Sequence, residues 1–156
     1  MTVSHTEVGA FEADIVRLYE DAIAHDGVGV WVLDVESGEM LWGKRLCAIY
    51  ELEGQTRENS YRRWAGRIHP DDLPAAEAAV TGAVARNCRT RSRFRVLLPG
   101  GQLQWMESRC NLTTSNHGRF SVVSCNRRLD ADSTDIDDLD MLIDRLKLPV
   151  EAIEEA

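Results

Sequence analysis

No stretch of this 156-residue chain is apolar for long enough to cross a bilayer, and its first residues lack the basic-then-apolar layout of a signal peptide. No Cys-x-x-Cys pair occurs. Cys47, Cys88, Cys110 and Cys125 are dispersed, the pattern of reduced thiols, which predicts a cytoplasmic location and buried small side chains. The histidines (His5, His25, His69 and His117) form no pair at metal-ligand spacing, so no metal is expected. G-x-S-x-G, Walker A and H-E-x-x-H motifs are missing, and Gly27-x-Gly29 lacks the third glycine of a dinucleotide loop. Positive charge is also in deficit. With 18 Lys and Arg against 26 Asp and Glu the net charge is −8, which opposes general binding to nucleic acid or to anionic membranes. No acid–base pair inside a pocket can be picked out, so the chain is not expected to be an enzyme.

What is present fits one soluble domain with short flanking elements, since 44% of the residues are hydrophobic and 28% charged. Phe11, Ile15, Leu18 and Ala22 recur at four, three and four, one stripe of an amphipathic helix that ends near Asp26-Gly27. Val28 to Val35 reads as a strand. Glu36-Ser-Gly-Glu39 supplies a turn and Met40 to Trp42 a return strand. Short helices follow over Lys44 to Glu51 and Tyr61 to Ile68. His69-Pro-Asp-Asp-Leu-Pro74 then punctuates the start of a longer helix reaching Arg86, with Asp71 and Asp72 placed to cap it. Alternation from Arg89 to Leu98, the Pro99-Gly100-Gly101 turn and a strand through Trp105 to Leu112 make a second hairpin, and Phe120 to Asn126 is the last strand. Beyond Asp130 the composition turns acidic, and Ile136, Leu139, Ile143 and Leu146 make a helical stripe capped by Thr134 and ended by Pro149.

Three motifs stand in order along this plan. The first comprises Gly29, Trp31, Asp34, Ser37, Gly38 and Trp42. The second is His69, Pro70, Asp71 and Asp72, and the third is Pro99, Gly101, Trp105 and Arg109. Each is weak alone, but together, at these distances, they are fairly specific. Over roughly residues 27–130 the sequence resembles the extended-loop PAS domains of bacterial sensors. The resemblance implies an α+β fold: a five-stranded antiparallel sheet of order 2-1-5-4-3 with helices over one face. Residues 1–26 would form an N-terminal flanking helix and 131–156 an acidic C-terminal helix or tail. The role implied is a stand-alone, non-catalytic signalling module that regulates a histidine kinase or regulator by protein–protein contact. Where relatives end the last strand with Asp-Ile-Thr to couple the core to an output helix, this chain has Arg128-Leu129-Asp130.

Cofactors carried by similar domains do not fit these residues. Asn87-Cys88-Arg89 echoes the adduct-forming motif of flavin photosensors, but Cys88 follows the long helix instead of preceding it. Met106 stands where a flavin-binding Asn is expected. Haem-binding relatives use a histidine on the long helix, and none lies between Leu73 and Arg86. Alternation directs Trp31, Leu33, Met40, Trp42, Phe94, Val96, Met106, Ser108 and Cys110 inward, either as plain core or as the lining of a pocket for a small apolar ligand. Arg89, Arg91, Arg93 and Arg95 form a basic ridge on an acidic protein, either a solvated face facing Glu107 or a docking surface for an acidic partner. The stripe Phe11, Ile15, Leu18 and Ala22 either packs on the domain's own sheet or pairs two copies as a homodimer.

Overall fold

The computed structural model describes residues 16–23, 27–52, 60–114, 118–129 and 144. Helix α1 occupies residues 16–23. It is followed by β1 (Val28–Asp34), β2 (Met40–Trp42), α2 (Lys44–Ile49), α3 (Ser60–Arg67), α4 (Leu73–Arg86), β3 (Thr90–Leu97), β4 (Leu103–Thr114) and β5 (Phe120–Arg128). The strands form one antiparallel sheet in the order β2-β1-β5-β4-β3, the order expected.

Local chemistry sets the turns. Asp34 accepts the Ser37 backbone N–H at 3.0 Å, and Gly38, at φ 76°, lets β1 fold back onto β2. Gly101, at φ 85°, does the same between β3 and β4, where Leu98 N–H donates to Gln102 O at 2.9 Å.

Strand alternation sorts the side chains onto two faces. The inner face carries Trp31, Met40, Trp42, Phe94, Val96, Met106, Cys110 and Val122. These join Leu46, Ile49 and Tyr50 from the α2 region, Trp64 of α3, and Ala76, Val80 and Ala83 of α4 in one buried core. On the outer face, Val16, Tyr19 and Ile23 of α1 pack with Val28, Val30, Val32, Leu41, Val123 and Cys125.

The predicted stripe on the first helix needs correction. The buried face is Val16, Tyr19 and Ile23, with Ala22 half-buried beside it, whereas Leu18 is 45% exposed. Phe11 and Ile15 lie outside the described residues.

The His-Pro-Asp-Asp segment also works differently from a simple cap. Asp72 accepts the Ala76 N–H through its backbone carbonyl at 3.1 Å, but its side chain makes no capping bond to α4. Its carboxylate reaches across to β3, accepting from the Arg95 backbone N–H (2.8 Å), Nε (2.8 Å) and Nη2 (2.9 Å). His69 N–H donates to Arg95 O at 2.8 Å, so this corner is stitched to β3 from both sides. The predicted acidic helix over 131–156 lies outside the described residues except for Asp144, which is helical.

Candidate functional site

The nine inward candidates do share the inner face. Seven belong to the core cluster, Leu33 is partly buried against it, and Ser108 is buried. Aromatic edges and faces fill the space between sheet and helices. Trp31 meets Trp64 with ring centroids 5.8 Å apart, Trp64 meets Phe94 at 6.3 Å, and Trp42 meets Tyr50 at 4.9 Å. The sequence puts Tyr50 and Trp64 on helices but gives no sign that they join this core. Their entry depends on how α2 and α3 fold over the sheet.

Polar groups within this core are poorly served. Among the described residues, the indole N–H groups of Trp31, Trp42 and Trp64 and the Tyr50 hydroxyl are buried and reach no hydrogen-bond partner at ordinary bonding distance. Burial pushes the Tyr50 phenol far up, opposed only in part by the nearby Trp64 indole. Along the same face, Ser108 and Ser124 hydroxyls lie 2.8 Å apart and Asn126 Nδ2 donates to Ser124 Oγ at 3.1 Å. Among the described residues the Asn126 carbonyl oxygen has no partner. An orphaned buried donor or acceptor costs about 1–3 kcal/mol. The core interior is therefore mostly apolar, with some hydrogen-bonding groups unmet among the described residues.

Helix α2 ties this core to α1 and to the end of β5. At its start, Glu20 of α1 accepts the backbone N–H groups of Lys44 (3.0 Å) and Arg45 (3.2 Å). A carboxylate suits the positive end of a helix, although burial raises the Glu20 pKa. At its end, Arg128 Nη2 donates to Ile49 O at 3.3 Å, a cation at the negative end. Both contacts are long-range, which is why neither was visible in the sequence.

The ridge of arginines divides. Arg95 is held by Asp72, whose carboxyl it keeps down at about 2, and its guanidinium lies 5.3 Å from the Trp105 ring centre. Arg89 pairs with Asp144 at 2.6 Å. Arg91 and Arg93 are exposed. Glu107 faces Arg93 across the β3–β4 register, yet its carboxylate pairs with Arg109 and Arg127, at 2.5 and 3.0 Å. That group is buried on the outer face, and the two guanidinium groups hold the Glu107 pKa below its usual value against the opposing effect of burial. Exposed Leu103 and Trp105 continue the ridge on β4.

His69 makes a local bond, its Nδ1 accepting the Asp71 N–H at 3.1 Å. Among the described residues no cluster of three metal-ligating side chains occurs. Cys47, Cys110 and Cys125 are buried, and burial pushes the Cys47 thiol up to about 11. Cys88 is exposed at the end of α4, away from the aromatic core. Among the described residues, no helix is long and apolar enough to cross a membrane.

Residues 39–126, more than half of the chain, match the family described as the PAS fold. Over 92 residues the chain is 28% identical to the sensor protein FixL of Bradyrhizobium diazoefficiens. The match covers 59% of this chain and 18% of that protein, so the chain spans about a fifth of this relative. Among solved structures, a sensory box histidine kinase/response regulator from Burkholderia thailandensis is similar with a TM-score of 0.54 and 19% identity, covering 88% of this chain and 98% of that one. The PAS domain of a Colwellia psychrerythraea protein has a TM-score of 0.52 and 21% identity, covering 74% and 98%.

Proposed function

The chain belongs to the PAS family, and we propose that within it the chain is a non-catalytic cytoplasmic module that regulates a sensor kinase or regulator by direct contact. Its relatives support a sensory role in signalling. The observation that carries the contact reading is the outer patch of β3 and β4. Exposed Arg91 and Arg93 there adjoin Leu103, Trp105 and the Trp105-stacked Arg95. Arginine and tryptophan with an aliphatic neighbour are the side chains that most often dominate protein interfaces. The test is the autophosphorylation rate of a purified sensor kinase from the same host with the native chain and with R91E/R93E/W105A. The native chain should change the rate and the variant should not; equal effects of the two would refute the reading. Pairing of two copies through α1 would use the exposed Leu18. Light scattering of Leu18→Glu reads it, and an unchanged mass removes that helix from a dimer.

A second reading, a small-molecule sensor, is favoured by the orphaned polar groups of the core. Three N–H donors, a phenol and an amide oxygen call for a neutral ligand with hydrogen-bonding groups, more polar than the apolar metabolite expected from the lining alone. Helix α2 would carry the response, since Tyr50 touches the core while Glu20 and Arg128 hold its two ends. Gly43→Ala tests this relay. A Cβ there would sit 1.9 Å from a Glu20 carboxylate oxygen, so the substitution pushes the Glu20 carboxylate off the Lys44 and Arg45 N–H groups and leaves only the Arg45 Nη1 bond to Glu20 O. Amide exchange in α1 should then rise, and unchanged exchange would refute the relay.

A further inference from the structure

Sheet edges present unpaired backbone, and the edges of this sheet are β2 and β3. The first is three residues long and the second eight. In an antiparallel strand the N–H and C=O of one residue point to the same side, and those of the next residue to the other. Arg95 fixes which side is which. Its N–H donates to the Asp72 carboxylate at 2.8 Å and its C=O accepts the His69 N–H at 2.8 Å, so its backbone faces away from β4. Arg93 and Arg91, two and four positions earlier, share that direction. Both are exposed, and among the described residues nothing bonds to the outward backbone or the guanidinium of either. We propose that this open stretch of the β3 edge is the docking site for one extended acidic strand of the partner protein, paired with Arg91 and Arg93 through its backbone. The inference rests on the contact reading above and gives that contact its mode.

The neighbours on the same edge show what suits it. At one end Ile68 bridges to Val96 in antiparallel register, a one-residue extension of the sheet beyond β3. Beside it the Asp72 carboxylate takes both the Arg95 N–H and the Arg95 guanidinium, at 2.8 to 2.9 Å. At the other end Arg89 pairs with Asp144 at 2.6 Å. Carboxylates thus hold the arginines on either side of Arg91 and Arg93, and the middle pair is left for carboxylates from outside. A second copy is the wrong occupant. Every outward-facing residue from 89 to 95 is arginine, so antiparallel pairing of two β3 edges over this stretch sets arginine against arginine. Like charges directly opposite destabilise a strand pair. A strand with acidic side chains at alternate positions does the reverse, because its backbone completes the edge while its carboxylates meet the guanidinium groups on the outer face.

The probe is a capped heptapeptide alternating glutamate with threonine, titrated onto the full chain at low salt. At a peptide concentration about ten times its Kd, amide exchange of Arg91 and Arg93 should slow about tenfold. Exchange of Ser92, whose backbone faces β4, should not change. N-methylation of the glutamate amides keeps the charge and removes the donors that face β3, so it should weaken binding by about tenfold or more. N-methylation of the threonine amides, which face away, should leave binding unchanged. The peptides alter nothing in the protein, so the test does not depend on any variant folding. Equal binding of the two methylated peptides, or binding that leaves the Arg91 and Arg93 amides unprotected, overturns the strand and reduces the ridge to charge attraction. Protection of those amides in a peptide-free dimer also overturns it, because a second copy then holds the edge. The kinase assay separates this mode from the contact reading. If the native chain changes the kinase rate, the triple variant does not, and the peptide leaves the edge unprotected, the contact reading stands and the strand falls. If the peptide protects the edge and the kinase does not respond, the edge site stands and the contact reading falls.

Discussion

Gly29→Ala should destabilise the domain although it adds only one methyl group. Gly29 sits in β1 beneath α2, and a Cβ built there lies 2.6 Å from Leu46 Cα and 2.7 Å from Leu46 N. Both atoms are backbone, so no side-chain rotation relieves the contact and α2 must lift by several tenths of an ångström. That helix is pinned by Glu20 at one end and Arg128 at the other, so lifting it strains two further sets of bonds. Overpacking of this kind costs about 1–3 kcal/mol. Replacing glycine returns about 0.4–1 kcal/mol through the unfolded chain, and the clash wins. The net expectation is a loss of about 1–2 kcal/mol, read as a lower urea midpoint at constant slope. Gly66→Ala is the internal control. Gly66 lies within α3 with nothing within 4 Å of its added Cβ, so helix propensity should stabilise the domain by about 0.5–1 kcal/mol. Equal stabilisation by both substitutions would refute the close approach of α2 to β1.

Three further perturbations test the core and the charge pairs. Trp64→Ala empties the centre of the aromatic cluster and should cost about 3–5 kcal/mol. Trp64→Phe keeps most of the ring and removes only an unpartnered N–H, so it should cost about 1 kcal/mol or less; a melting curve showing equal losses would deny the orphaned indole. Glu107→Gln leaves Arg109 and Arg127 beside each other without their shared carboxylate, and should cost about 3 kcal/mol in urea unfolding. Asp72 has its pKa lowered in the folded state to about 2. Its ionised form therefore adds stability that is fully present above the ordinary carboxylate value near 4 and is lost as pH falls toward about 2. Asp72→Asn should be weaker than the native chain at about pH 6, with the difference closing across that window; a deficit independent of pH would mean the ion pair with Arg95 contributes nothing.

The inner face was legible because period-two alternation is a local property. Trp31, Met40, Trp42, Phe94, Val96 and Met106 could be assigned to one side of a sheet before any pairing was known, and the sheet places them there. The same alternation put Glu107 and Arg109 on the outer face, but it could not tell that they would be buried, since that depends on what covers the face. Leu18 shows a different limit. On an eight-residue helical run, two stripes a hundred degrees apart both look apolar, and the sheet selects the one bearing Tyr19. Asp72 was read as a helix cap because its position in the sequence fits one. Arg95, 23 residues away, offers three donors against the single N–H of a cap, and charge-assisted bonds prevail.

Long-range charge contacts hold the ends of α2. The Asp-Ile-Thr ending that the resemblance led one to look for would join the last strand to whatever follows. Here Arg128 uses that place to hold the carbonyl end of α2, and Leu129 bonds to Trp105. The end of β5 is therefore tied both to α2 and to β4. Glu20 couples α1 to the same helix from the opposite end. A displacement of α2 by a few tenths of an ångström would be felt by both flanking segments, because a short helix held at its two termini by opposite charges moves as one body. Replacing Arg128 by Met keeps the stem and removes the guanidinium, so it should free the end of β5 from α2 while Glu20 still holds α1. Exchange at Leu129 should then rise while α1 stays protected; a rise at both ends would show that α2 is anchored through its packing and that the charges at its termini are incidental.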